Sequence, residues 1–154
     1  MIGRIKIGTG ESEREITLRA TAATDIRYKQ VFGEDCLPKV LSVAKLAETL
    51  PEGAADWREG EDMPPEVKEA YIKLVEDGTL QVIQQLAYIL NASAERKDMA
   101  RLDIVSYIEW LDDLEPLDLL VNMAEILNVY FGGKATASTL TAAAKKNRLA
   151  PTVL

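Results

Sequence analysis

Two short segments near the start of the chain alternate apolar and polar residues, as β-strands with one buried face do. They cover residues 4–7 and 15–20, and the stretch 8–13 between them is polar with two glycines. The pattern predicts a β-hairpin within residues 4–20. Its apolar face carries four side chains, Ile5, Ile7, Ile16 and Leu18. Because an isolated hairpin is marginally stable in water, we expect this face to pack against helices.

Beyond the hairpin, apolar residues recur at the three- and four-residue spacing of amphipathic helices. Thr24 is predicted to cap a short helix over 25–32 that ends at Gly33. A second helix is predicted to follow the cap residue Asp35. Its expected apolar stripe contains Leu37, Val40, Leu41, Ala44 and Ala47. Further helices are predicted over 66–76, from Thr79 onward, after the cap residue Asp103, and over 117–131.

Three of these later helices have distinct faces. In the helix from Thr79, Tyr88 falls with three glutamines on the side opposite the apolar residues. In the helix after Asp103, the predicted buried stripe is Ile104, Tyr107, Ile108, Leu111 and Leu114. The segment 117–131 is apolar over most of its circumference, with one narrow polar stripe of Asp118, Asn122, Glu125 and Asn128. Such a helix lies at the centre of a bundle or has a second face that another chain covers. We favour the central position.

The composition excludes several functional classes. The 154 residues contain no histidine and one cysteine, Cys36. A Ser-His-Asp or Cys-His centre is therefore impossible, and a structural zinc site has too few ligands. The net charge of −7 disfavours an extended nucleic-acid interface. No apolar run approaches the roughly 18 residues of a membrane span, and the start lacks a signal-peptide pattern, so we expect a cytoplasmic protein without a membrane partner.

Charge divides the chain into a body and a tail. All 25 acidic residues lie within residues 1–131, whereas 132–154 carry four bases and no acid. We predict a single-domain body over 1–131 and a flexible, disordered basic tail over 132–154. Within the body, residues 51–65 are predicted to form an acidic surface loop. The fold class predicted overall is α+β and mostly α, with the N-terminal hairpin packed on a bundle of about five helices.

Two parts of the sequence resemble the tail assembly chaperones of long-tailed bacteriophages and prophages. The first is residues 16–35, in which Arg27, Tyr28 and Phe32 are the most recognisable. The second is residues 84–90 and 107–116, followed by a long apolar helix. The resemblance covers roughly residues 16–131 and depends on the order and spacing of short motifs. The chain departs from the family pattern at two positions. It has Asp25 where such sequences often have proline, and Cys36 where they often have an aliphatic residue.

The resemblance implies a non-catalytic protein without cofactor or metal. Such a chaperone binds the tape measure protein, keeps it soluble in the host bacterial cytoplasm and recruits tail-tube subunits during tail morphogenesis, and it is not expected in the mature virion. Phages of this kind also make a frameshifted longer form that would bind the tail-tube protein. Residues 132–134 and 144–146 are compatible with a slippery site, although an ordinary basic tail is an equal alternative.

The final two predicted body helices are the expected partner-binding region, because their apolar surface exceeds what one bundle position needs. The predicted contact residues are Tyr107, Trp110, Leu111, Leu117, Leu120, Met123, Leu127 and Tyr130. Tyr28 and Phe32 are instead expected to pack the first helix against the hairpin. We also expect a homo-oligomer, since excess apolar surface must be covered. The alternatives are a small acidic helical adaptor or regulatory protein of a prophage and, because acidic residues are plentiful, a Mg²⁺-dependent hydrolase.

Overall fold

The computed structural model describes residues 1–8, 10–48 and 64–132. The described chain has an antiparallel pair of strands followed by seven α-helices, which confirms the predicted α+β, mostly α class. The elements are β1 (Ile2–Ile7), β2 (Arg14–Arg19), α1 (Thr24–Phe32), α2 (Cys36–Ala47), α3 (Pro65–Glu76), α4 (Thr79–Ala94), α5 (Ile104–Asp112), α6 (Asp118–Val121) and α7 (Met123–Tyr130). The predicted acidic loop 51–65 and basic tail 132–154 lie outside the described residues, apart from residues 64, 65 and 132.

The hairpin has the predicted alternation. Ile5 pairs with Ile16 across the two strands, and Ile5, Ile7 and Leu18 are buried while Ile16 is half-buried. The hairpin packs chiefly on two helices, with β2 against α4 and β1 against α7, and β1 also contacts α6. Burial of the apolar face on helices removes apolar area from water, which an isolated hairpin cannot do.

The central helix is α4, which contacts β2 and each of the other six helices. Every residue from Leu86 to Ser93 is buried, including Tyr88, which the sequence pattern placed on a polar side. Segment 117–131, for which a central position was favoured, is also largely buried, but α4 is the helix that packs against all the others. Amide and hydroxyl side chains on α4 obscured its burial, because buried polar groups with hydrogen-bond partners are tolerated in a core.

The sequence predicts one continuous helix over 117–131, but the structure has two. The segment divides into α6 and α7 at Asn122, whose side-chain amide donates to the Asp118 carbonyl at 2.7 Å and to the Lys6 carbonyl at 2.8 Å. Two residues of the polar stripe, Asp118 and Asn122, therefore face the hairpin. A side-chain amide that satisfies backbone carbonyls from two elements fixes the relative position of strand and helix.

The predicted helix boundaries are partly confirmed. Gly33 ends α1 with φ 77°, in the left-handed region that glycine adopts without a Cβ penalty. The carboxylate of Asp103 accepts a hydrogen bond from the Ser106 N–H at 2.7 Å and caps α5. Thr24, however, is the first residue of α1 and not its cap. Its hydroxyl accepts from the N–H of Thr21 at 2.9 Å, so it stabilises the preceding turn.

The second helix begins as predicted, but its buried face is rotated. Asp35 occupies the N-cap position of α2 without a capping hydrogen bond, and its carboxylate lies 3.2 Å from Lys29 Nζ. Leu37, predicted in the apolar stripe, is 45% exposed. The buried side chains of α2 are Cys36, Val40, Val43 and Ala44. The helix has more apolar positions than one face holds, so neighbouring elements decide which are covered.

Candidate partner-binding surface

The eight predicted contact residues fall into two groups by burial. Four are buried within the chain, namely Tyr107, Leu120, Met123 and Leu127. Four are half-buried, namely Trp110, Leu111, Leu117 and Tyr130. The apolar surface of the last helices therefore packs largely inside the protein. Since a buried side chain reaches a partner only after rearrangement, the half-buried four are those still accessible for the predicted role.

Aromatic residues join α1, α4 and α5 into one cluster. The ring centroids of Tyr28 and Phe32 are 5.0 Å apart, and Phe32 lies at 5.0 Å from Tyr107 in an edge-to-face arrangement. Tyr88 completes the cluster at 5.4 Å from Tyr107 and 5.6 Å from Trp110. Tyr28 and Phe32 therefore belong to the core, as predicted, but their aromatic contacts join helices and do not attach α1 to the hairpin. Edge-to-face pairs of this kind fix the position of α5.

A buried amide holds Trp110 in place. The indole N–H of Trp110 donates to Asn91 Oδ1 at 3.1 Å, and Asn91 Nδ2 donates to the Thr17 carbonyl at 2.9 Å. Asn91 is 4% exposed, so both of its hydrogen bonds replace water that it has lost. This chain of hydrogen bonds connects α5 through α4 to β2. The polar group of Trp110 is consequently directed inward, and the side chain as a whole is half-buried.

The surface with the most exposed apolar area on α5 consists of Ile104, Val105 and Ile108, which we call the α5 face. Their exposed fractions are 47%, 63% and 51%. Ile108 is four residues from Ile104 and three from Val105, the two spacings at which side chains are neighbours on a helix, so the three side chains are contiguous. The sequence pattern had placed Ile104 and Ile108 in the buried stripe, which was wrong, and it did not identify Val105. The sequence does indicate that part of this helix is exposed, because six of its nine residues are apolar and one buried stripe cannot hold them all.

The α5 face lies in the most acidic part of the described chain. Residues 102–133 contain seven acidic residues and no Lys or Arg. Asp103, Glu109 and Asp112 are exposed on or beside α5, and none forms an ion pair with a described Lys or Arg. The nearest base contact is that of Arg14, whose guanidinium donates to the backbone carbonyl of Asp113 at 3.4 Å. The face is therefore an apolar patch with an acidic border, and Arg14 lies at the C-terminal end of that border.

Apart from the α5 face, the described chain has a groove of about 560 Å³ between β1 and the α6–α7 segment. Its most buried charged residue is Asp118, which is 3% exposed. The two oxygens of Asp118 accept hydrogen bonds from the N–H groups of Gly8 at 3.1 Å and Glu115 at 2.8 Å. The carboxylate thus has a structural role in joining the hairpin turn to α6. We do not assign a ligand to this groove.

The thiol of Cys36 and the hydroxyl of Tyr130 lie in settings that favour a structural role. Burial raises the pKa of the Cys36 thiol to about 12, so it is protonated and a weak nucleophile near neutral pH. Tyr130 donates to the Asp25 carboxylate at 2.8 Å, which holds the end of α7 against α1. Among residues 1–8, 10–48 and 64–132, no group of three or more Cys, Asp and Glu side chains is arranged to hold a metal ion.

Comparison of the chain with protein-family models, with curated proteins and with solved structures found no match. A search of the described helices found none that is both long enough and apolar enough to cross a membrane. Function is therefore inferred from the residues of the α5 face, from the buried contacts behind it and from the sequence resemblance described above.

Proposed function

We propose that this protein is a non-catalytic tail assembly chaperone of a long-tailed phage or prophage. It binds the tape measure protein, keeps it soluble in the host cytoplasm and recruits tail-tube subunits. The resemblance over residues 16–131 supports the proposal at the level of sequence. The structural observation that supports it is the α5 face, an exposed apolar surface on a helix whose other side packs against α4 through ring contacts and a hydrogen bond.

The α5 face suits reversible binding of another helical chain. Its three side chains are between 47% and 63% exposed, so contact with a partner would remove substantial apolar area from water. The aromatic cluster and the Asn91–Trp110 hydrogen bond hold α5 from behind, so little ordering is needed on binding. The acidic border keeps the free protein soluble although the apolar patch is exposed.

Co-expression tests this function directly. A tape measure segment that is insoluble alone should become soluble when the full chain is present, and the two should co-purify. Val105→Glu and Ile108→Asp should each reduce co-purification at least about tenfold, as loss of a central interface contact does. Ile26→Asp is the matched control, because Ile26 is 67% exposed on α1. If the unmodified chain leaves the tape measure segment insoluble, the chaperone proposal is wrong.

The second candidate is a small acidic adaptor or regulatory protein of a prophage, which the acidic surface around α5 also suits. The position of the gene distinguishes the two. A chaperone gene should lie between a tail-tube gene and a very long tape measure gene, whereas an adaptor gene need not. The same sequence would show whether a slippery site and a second open frame encode the longer form proposed to bind tail-tube subunits.

We further propose that the free protein is a homo-oligomer, since exposed apolar side chains favour association. The α3 helix has a second exposed pair, Ile72 at 49% and Val75 at 43%. Light scattering at several concentrations should give a mass above that of one chain. A monomeric mass at the highest concentration would contradict this part of the proposal.

A further inference from the structure

We propose that the α5 face binds an amphipathic helix whose apolar stripe is bordered by Lys and Arg. The inference rests on the proposed function and adds the chemistry of the bound segment. It is carried by two properties of the same surface, namely a contiguous apolar patch and a border of one charge.

The apolar patch has the dimensions of a helix-binding site. Ile104 and Ile108 are one turn apart on α5, and Val105 lies beside them. Half-buried Leu111 extends the row by almost another turn. Side chains spaced in this way form a ridge that fits between the side chains of a second helix. A partner helix would therefore contact the face with residues at i, i+3 or i+4, and i+7.

The charge pattern selects a basic partner. Asp103, Glu109, Asp112 and Asp113 border the α5 face, and no Lys or Arg occurs from residue 102 to residue 133. A helix with Lys or Arg beside its apolar stripe would place cations against these carboxylates. An acidic helix of the same apolar content would bring like charges together, which is unfavourable at close range.

The position of the acids gives a second reason. Glu109, Asp112 and Asp113 lie at the C-terminal end of α5, where the helix dipole is negative and acidic side chains are destabilising. The last turn of α5 contains no base. Arg14 donates to the Asp113 carbonyl at this end of α5, but Glu109 and Asp112 have no ion pair with a described Lys or Arg. Cations from a bound helix would lie against these two carboxylates and offset their unfavourable interaction with the helix dipole.

The same pattern argues against a second copy of the α5 face as the occupant. Two such faces placed together would oppose acidic borders without any Lys or Arg from residues 102–133 to compensate them. Homo-oligomerisation would accordingly use another surface, such as the exposed side of α3.

Three labelled peptides test the proposal against the full-length protein by fluorescence anisotropy. The first is a designed helix with a Leu stripe bordered by Lys, the second has Glu in place of each Lys, and the third has the first composition in scrambled order. We expect the first peptide to bind at least tenfold more tightly than the other two at low salt, with about tenfold corresponding to about 1.4 kcal/mol. Added salt should weaken this binding, because exposed charges are screened.

Variants locate the site. Val105→Glu and Ile108→Asp should weaken binding of the basic peptide at least tenfold, whereas the control Ile26→Asp should not. The double variant Glu109→Lys with Asp112→Lys should weaken binding of the basic peptide and strengthen binding of the acidic one. These residues are exposed, and circular dichroism of each variant should match the unmodified protein.

Several results would overturn the proposal. Equal binding of the acidic and basic peptides would remove the charge preference, and unchanged binding by the α5 variants would place the site elsewhere. A dimer that Val105→Glu separates would make a second copy the occupant. Tighter peptide binding after Lys145→Glu with Lys146→Glu would make the chain's own basic segment the occupant. If tape measure binding is intact but the peptides bind without charge preference, this inference alone is refuted. If the basic peptide is preferred but the tape measure segment does not bind, only the proposed function is refuted.

Discussion

At the scale of single residues, polar side chains decide how the hairpin is attached to the helices. Asp118 accepts from Gly8 in the hairpin turn and from Glu115 at the start of α6. Asn122 donates to the carbonyl of Lys6. A buried polar group without its partner costs more than the hydrogen bond itself contributes, so these side chains specify one arrangement of strand and helix.

Replacement of Asp118 by Ala should lower the free energy of unfolding by about 1–3 kcal/mol, because two N–H groups lose their acceptor. Urea denaturation followed by circular dichroism measures this change. Asp112→Ala, at an exposed acid without an ion pair in the described chain, is the control and should alter stability by less than about 0.5 kcal/mol. Equal effects of the two substitutions would contradict the structural role of Asp118.

Gly3 permits a close approach between β1 and α7. A Cβ at this position would lie 2.3 Å from Val129 Cγ2 and 2.9 Å from Glu125 Oε1. Gly3→Ala should therefore cost about 1–3 kcal/mol through overpacking. In the Gly3→Ala, Val129→Ala double variant the cost should be smaller than the sum of the two single costs, by about 0.5–3 kcal/mol. Strictly additive costs in urea denaturation would show that the two residues do not meet.

At the scale of elements, α5 is held mainly from one side. It packs chiefly against α4, through Tyr107, Trp110 and the hydrogen bond from Trp110 to Asn91. The opposite side of α5 is the exposed α5 face. A helix packed on one side has fewer contacts to lose on local opening than the central helix α4, so we expect it to open at a lower free energy.

Trp110→Phe should loosen α5 specifically. The ring contact with Tyr88 is largely kept, but Asn91 Oδ1 loses its donor, which should cost about 1–2 kcal/mol. Hydrogen exchange should then accelerate in α5 and near Thr17 more than in α2. Ile108→Ala, on the exposed side of the same helix, is the control and should leave exchange near Thr17 unchanged. Uniform acceleration across all helices would contradict a local role for this hydrogen bond.

At the scale of the whole molecule, protonated groups in the core make the fold sensitive to high pH. Burial raises the pKa of Cys36 from 9.0 to about 12 and that of Tyr107 from 10.0 to about 12. The pKa of Tyr28 is raised as well, chiefly by burial. In the unfolded chain these groups ionise at their ordinary values, so above about pH 9 the unfolded state loses protons that the folded state retains.

Stability should therefore be constant with respect to these groups below about pH 9 and fall as the pH rises towards 12. Midpoints of urea denaturation between about pH 8 and about pH 11 measure the slope. Cys36→Ala should be less stable at neutral pH because of the small cavity, but its stability should fall less steeply above pH 9. A slope identical to that of the unmodified protein would contradict the ionisation of Cys36 as a cause.

The sequence by itself determined the features that depend on neighbouring residues. Alternation with a period of two predicted the hairpin and its buried Ile5, Ile7 and Leu18, since side chains on a strand point alternately to its two faces. The stop at Gly33 and the cap at Asp103 were predicted for the same reason, because each requires only the backbone of the adjacent turn.

Only the tertiary structure decided which helix is central, where segment 117–131 breaks and which face of α5 is exposed. The sequence predicted Tyr107 and Trp110 to contact a partner, but their side chains pack against Tyr88 of α4. The break at Asn122 depends on the carbonyl of Lys6, which is 116 residues away along the chain. Where a helix has more apolar positions than one face needs, as α5 does, periodicity allows several orientations, and the packing of the other elements selects one of them.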